Sequence, residues 1–126
     1  MANWTPNSLP AEIFRLTARF IPPPDLPAPV LWGDEQVVRQ RLGPYVAHLE
    51  TAQQTIAFDF LFSPRETVQF FREYFGPTKM AFARLDTAGQ VSYAADLEEL
   101  WSRKNEVDSG NTLIHTNYLE VTGTRA

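Results

Sequence analysis

The sequence predicts an α/β chain, or α+β where it stands as an isolated fragment: a small sheet of about three strands flanked by helices. Three observations predict it. Ile56, Phe58, Phe60 and Phe62 alternate with Ala57, Asp59 and Leu61, the period of two that marks a strand with one apolar face. Ser63-Pro64-Arg65-Glu66 is a capping box with proline at the first helical position, and it opens the first of several segments of helical period. Residues 113–124 carry β-branched types throughout and read as a closing strand.

The 126 residues are expected to form a single domain, 1–126, able to bury about two-thirds of the surface its unfolded chain exposes. A hydrophobic share of 44% belongs to a globular chain, and nine Phe with three Trp supply much of the burial. The net charge of −4, with no basic run longer than Arg103-Lys104, argues against a surface that tracks nucleic-acid phosphates. Without cysteine there is no disulfide, thiolate metal site or cysteine nucleophile. No apolar run approaches the ~18–20 residues that span a bilayer, and Met1-Ala2-Asn3-Trp4-Thr5-Pro6 has no signal-peptide pattern. A cytoplasmic protein without membrane or nucleic-acid partners is the expectation.

Taken in order, residues 2–5 read as the end of a strand closed by Pro6. Ser8 as N-cap, Pro10 early and Glu12 in the first turn start a helix over 9–20, with Ile13, Leu16, Thr17 and Phe20 at helical spacing. The prolines over residues 22–29 exclude helix and predict an extended, stiff crossover. Asp34 caps a short helix carrying Val37, Val38 and Leu42, stopped by Gly43-Pro44. Residues 46–49 suggest a shorter strand leading into the one at 55–62. The helix opened at Ser63 carries Val68, Phe71, Tyr74 and Phe75 and ends at Gly76-Pro77. A second is expected over 78–88 with Phe82 and Leu85 inward and Gly89 as its stop. A third should bury a stripe of Val91, Ala94, Leu97 and Trp101, before a turn at Asp108-Ser109-Gly110-Asn111.

Leu31-Trp32-Gly33-Asp34-Glu35, Tyr74-Phe75-Gly76-Pro77-Thr78 and Tyr118-Leu119-Glu120-Val121-Thr122-Gly123-Thr124-Arg125 together resemble the C-terminal portion of class I, type 11-like, S-adenosylmethionine-dependent methyltransferases. Ala2-Asn3-Trp4-Thr5-Pro6 is similar to the fifth strand of that Rossmann-like fold. The resemblance implies a small mixed sheet in which residues 2–5, 55–62 and 113–124 match the family's fifth, sixth and seventh strands. The last would be antiparallel and lie between the other two. It also implies methyl transfer to a small-molecule acceptor, with Trp4, Thr5, Trp32 and Tyr45 lining the acceptor side.

The family holds S-adenosylmethionine on a glycine-rich turn, whereas Gly33, Gly43, Gly76, Gly89, Gly110 and Gly123 are never closer than ten residues apart. No cofactor is expected for this chain alone, and it should be inactive without the missing N-terminal half. With no fourth strand to pair with, residues 2–5 are expected to offer a free edge to a second copy or a complementing chain. The alternative is a non-enzymatic α+β module that binds a hydrophobic ligand or a protein partner.

Other chemistry is thin. His48 and His115 have no carboxylate or second histidine at helical ligand spacing and read as surface residues. Asp59 falls on the solvated face of its strand, and Asp96, Glu98 and Glu99 on an exposed helix face rather than around a metal. Phe58, Phe60, Phe62, Phe70, Phe71, Tyr74 and Phe75 are read as core. No catalytic residue is assigned; displacement at a methyl group needs alignment more than a fixed nucleophile.

Overall fold

The computed structural model describes residues 1–22 and 29–125. The expected proline-rich crossover falls on residues 23–28, outside the described residues. Five α-helices and three strands follow in the order β1 (Ala2–Trp4), α1 (Leu9–Phe20), α2 (Glu35–Leu42), β2 (Val46–Phe60), α3 (Pro64–Tyr74), α4 (Gly76–Arg84), α5 (Thr87–Lys104) and β3 (Thr112–Arg125). Short 3-10 helices at Pro29–Gly33 and Gly43–Tyr45 flank α2. The described strands form one sheet in the order β1-β3-β2, so the last strand in sequence is central. It runs antiparallel to β1, with Asn3 opposite Leu119 and Trp4 opposite Tyr118. The sheet is antiparallel throughout, where a mixed one was expected: a central strand opposed to both neighbours leaves no parallel pair among the described strands.

The chain divides into two compact units: Met1–Glu12, Asp25–Ile56 and His115–Ala126 in the first, Ile13–Pro24 and Ala57–Ile114 in the second. In the first unit, Val38 on α2 meets Leu119 and Val121 on β3, with Trp32, Leu42 and Leu49 packed around them. Helix α2 starts as its sequence predicts. The Asp34 carboxylate accepts from the Gln36 and Val37 N–H groups, two of the four donors a helix start leaves unpaired. Ser8 does the same for α1, its Oγ accepting from the Ala11 N–H at 3.3 Å.

In the second unit the Ser63 capping box is complete. Ser63 Oγ accepts from the Glu66 N–H, and the Glu66 carboxylate accepts from the Ser63 N–H. The buried Thr67 hydroxyl donates to the Ser63 carbonyl at 2.9 Å and lies 3.3 Å from Thr112 Oγ1, while Thr112 donates to the Phe62 carbonyl. The core holds Val68 of α3, Phe82 of α4 and Tyr93, Leu97, Leu100 and Trp101 of α5. The Tyr93 ring meets Phe82 and Phe20, and its hydroxyl bonds Thr17 Oγ1 at 2.7 Å.

Three expectations are corrected. Strand β2 is one run of fifteen residues, Val46–Phe60, not a short strand followed by 55–62, and Leu61 and Phe62 lie beyond it. Helix α4 ends at Arg84, and Gly89 does not stop it. The Asp86 carboxylate accepts from the Gly89 N–H at 2.7 Å, which makes Asp86 the N-cap of α5 and puts Gly89 in its first turn. The buried stripe of α5 is Tyr93, Leu97, Leu100 and Trp101; Val91 faces solvent.

Candidate functional site

The backbones of Trp4, Thr5 and Gly33 meet in the first unit, and the glycine is what allows it. A Cβ on Gly33 would overlap the Trp4 carbonyl and sit 3.0 Å from Thr5 Cα, so only glycine lets the 3-10 helix press its backbone onto the end of β1. Trp4 is half-buried, its ring edge-on to Tyr118 at 6.3 Å. Trp32 is half-buried against Leu119 and Val121, with the Arg41 guanidinium 4.7 Å over its ring.

Thr5 is buried and tied down. Its N–H donates to the Asn117 carbonyl, its carbonyl accepts from the Ser8 N–H, and its hydroxyl donates to Asn7 Oδ1 at 2.9 Å. These bonds turn the chain from β1 into α1. Tyr45 stands apart, 75% exposed, with α2 (about 12 Å at 1.5 Å per residue) between it and Trp32 in the chain. Trp4, opposite Tyr118, and Trp32, on Leu119 and Val121, thus lie against opposite faces of β3, and Tyr45 is on open surface.

A cavity that the sequence did not suggest lies nearby in the same unit. Its volume is about 410 Å³, within the span of small-molecule sites, and Arg39, Leu49, Glu50, Thr51, Glu120 and Thr122 are among its lining. Arg39 reaches Glu35 at 3.0 Å, and the Thr51 hydroxyl donates to the same carboxylate at 2.9 Å. The Thr51 hydrogen bond, then the Arg39 guanidinium, hold the Glu35 carboxyl below its ordinary value of 4.5. The walls thus offer one guanidinium already engaged and two carboxylates, which suits a polar ligand with donors of its own. Its signal was the long polar run of β2, which has no period to find.

The second unit carries a groove of about 350 Å³ along α3 and α5, edged by Arg65, Arg72, Gln90 and Glu98. Arg72 is engaged there, donating to Gln90 and lying 4.4 Å over the Phe82 ring. The aromatic set forms a continuous cluster around the buried Trp101. Phe71 lies 5.0 Å from it, Phe58 5.8 Å, and Phe60 stacks on Phe62 at 5.0 Å. It is only partly core: Phe70 is 42% and Tyr74 70% exposed, and the rest of the set is half-buried, because the sheet end and α3 cover one side alone.

His48 is exposed and pairs with Glu50 at 2.9 Å; His115 and Asp59 are exposed as expected. Glu99 is exposed, while Asp96 and Glu98 are half-buried, a correction to the fully exposed face expected of them, because α5 is covered on more of its circumference than the stripe implied. No group of three His, Asp or Glu that could hold a metal ion occurs among the described residues.

The glycines do not fit a methyl-donor cradle of the family's kind. Gly33 is filled by the Trp4 backbone, Gly89 meets Asp86 and Leu85, and Gly123 meets Val46 at 3.3 Å. Gly110, with φ of 88°, is the one positive-φ residue described and stands by itself in its turn.

No protein-family model matches the chain, and no curated protein is similar to it. Among the described residues, no helix is long and apolar enough to cross a membrane.

Proposed function

We propose that this chain is the C-terminal, acceptor-side portion of a class I S-adenosylmethionine-dependent methyltransferase acting on a small molecule. The observation that carries the reading is the strand order. A final strand inserted between the other two and antiparallel to the first is the arrangement the resemblance implies for strands five, seven and six. The close seat of Gly33 on Trp4 and Thr5 supports it further, since it returns the segment after α1 to the end of β1, where the acceptor side of such enzymes begins.

The methyl donor is then held by another portion of the enzyme, which pairs with β1. In that arrangement these residues bind and orient the acceptor, with the Trp32 ring, on the Leu119 and Val121 side, as a flat apolar wall. Calorimetric titration tests the division of labour: the 126 residues alone should show no S-adenosylmethionine binding at micromolar concentration, and micromolar binding would overturn it. Sequencing the reading frame upstream of Met1 should reveal a glycine-rich G-x-G-x-G segment or a neighbouring gene that carries one.

A second reading, a non-enzymatic α+β module, is favoured by the half-open aromatic cluster with the exposed Phe70 and Tyr74 on its rim. A fluorescence titration with an apolar dye separates the two. Binding lost in Phe70→Asp but kept in Trp32→Ala supports the module.

A further inference from the structure

The sheet has two ends, and they are unequal. β1 is three residues long. Met1 and Val121 exchange hydrogen bonds and Thr5 donates inward to Asn117, so the alternation of an antiparallel ladder turns the Trp4 N–H outward. There the Asn3 side chain already accepts from it at 2.8 Å. β2, at the other end, is fifteen residues long, and among the described strands β3 is its one neighbour. Over residues 50–56 only Thr51 is even half-buried; the other six are exposed on whichever face they point to. A strand in the middle of a chain that is bare on both faces and at the end of its sheet is a template for another strand.

We propose that the outer edge of β2, over residues 50–56, is the surface through which two copies of this chain join, strand against antiparallel strand. Natural edge strands discourage such pairing with lysine, proline or bulging glycine, and Val46–Phe60 contains none of these. Charge permits a second copy as the partner. Opposed residues of a two-fold antiparallel pair must share a face, so the dyad falls on a residue. Centred on Ala52, Gln53 or Gln54, it sets Glu50 opposite Gln54, Ile56 or Phe58, and His48 opposite Ile56, Phe58 or Phe60. No like charges meet in any of the three.

The paired stretch is about 24 Å long at ~3.4 Å per residue, and each copy extends the other's sheet to six strands. The Arg39–Thr51–Glu35 bonds hold the strand against α2 before any partner arrives, which lowers the ordering cost of association. This pairing stands apart from the methyltransferase reading, which uses the β1 end.

Sedimentation equilibrium from about 1 to 200 μM tests it, a span that brackets the usual range of weak homodimers. The wild-type mass should rise toward twice 14.3 kDa. Gln53→Lys/Gln54→Lys, which adds a charge to each face of the edge at exposed sites, should weaken association at least about tenfold while its far-UV circular dichroism is unchanged. Amide exchange over residues 50–56 should slow with concentration in wild type alone. A monomer throughout the range overturns the proposal, as does a double variant that dimerises like wild type. Loss of the dimer in Phe70→Asp instead would assign the contact to the aromatic face and equally overturn it. None of these readouts involves the methyl donor, so a failure here leaves the functional reading untouched.

Discussion

Gly33→Ala is the sharpest perturbation the structure offers. The added Cβ would lie 2.5 Å from the Trp4 carbonyl carbon and closer still to its oxygen, against the ~3.5–4.0 Å at which such atoms rest. The obstacle is backbone within a hydrogen-bonded strand, so no rotamer change relieves it. The 3-10 helix Pro29–Gly33 must instead retreat by about 1.5 Å, lifting Trp32 from Leu119 and Val121. Overpacking of this sort costs about 1–3 kcal/mol, and a rigid obstacle places this case in the upper half, about 2–3 kcal/mol. With a urea m-value of about 1–3 kcal/mol per molar, the midpoint should fall by about 1 M. Equilibrium urea unfolding followed by circular dichroism gives that shift. Indole N–H resonances locate it: those of Trp4 and Trp32 should move, with Trp101 of the second unit as internal reference. A loss below about 0.5 kcal/mol with all three resonances in place would refute the close approach.

Ser63→Ala removes one half of the capping box and leaves the Glu66 N–H to solvent, which should cost about 1 kcal/mol by the same urea assay. Trp101→Ala empties the centre of the aromatic cluster, 1% exposed in the native fold, and should cost about 3–5 kcal/mol. Tyr93→Phe takes a partner from Thr17, which keeps its bond to the Ile13 carbonyl at 2.8 Å, so the loss should be about 0.5–1.5 kcal/mol. Burial raises the Tyr93 phenol above its ordinary value of 10.0, so the native state keeps a proton that the unfolded chain gives up. That contribution is complete below about pH 10 and fades as pH climbs through the raised value; stability against alkaline pH should fall less steeply in Tyr93→Phe.

Local chemistry was legible in the sequence, and distant chemistry was not. The Ser63 box, the Asp34 cap and the helix Leu9–Phe20 are fixed by neighbours three or four residues away, and their sequence patterns name them directly. The stop of α4 was misread because two local signals compete. Gly89 resembles a helix end, but Asp86 three residues before it reaches its N–H and begins a new helix. On α5 the expected and observed stripes share Leu97 and Trp101, so period alone hardly separates them. Phe20 and Phe82, packed on Tyr93, decide the rotation. Residues 50–54 of β2, between the two stretches read as strand, lacked a signal for a plainer reason: a segment exposed on both faces has no alternation to read. At the candidate site the residue types were visible, but the close approach to β1 depends on a glycine some thirty positions away in the chain, whose need for that space no local pattern signals.

The paired hydroxyls of Thr67 and Thr112 constrain how this sequence can drift. Each sits where water does not reach and has a carbonyl of its own, Ser63's for Thr67 and Phe62's for Thr112. Valine at 67 leaves the Ser63 carbonyl still bonded to the Thr67 N–H, whereas valine at 112 takes the hydroxyl donor from the Phe62 carbonyl. Drift at this corner is therefore expected to be easier at 67 than at 112.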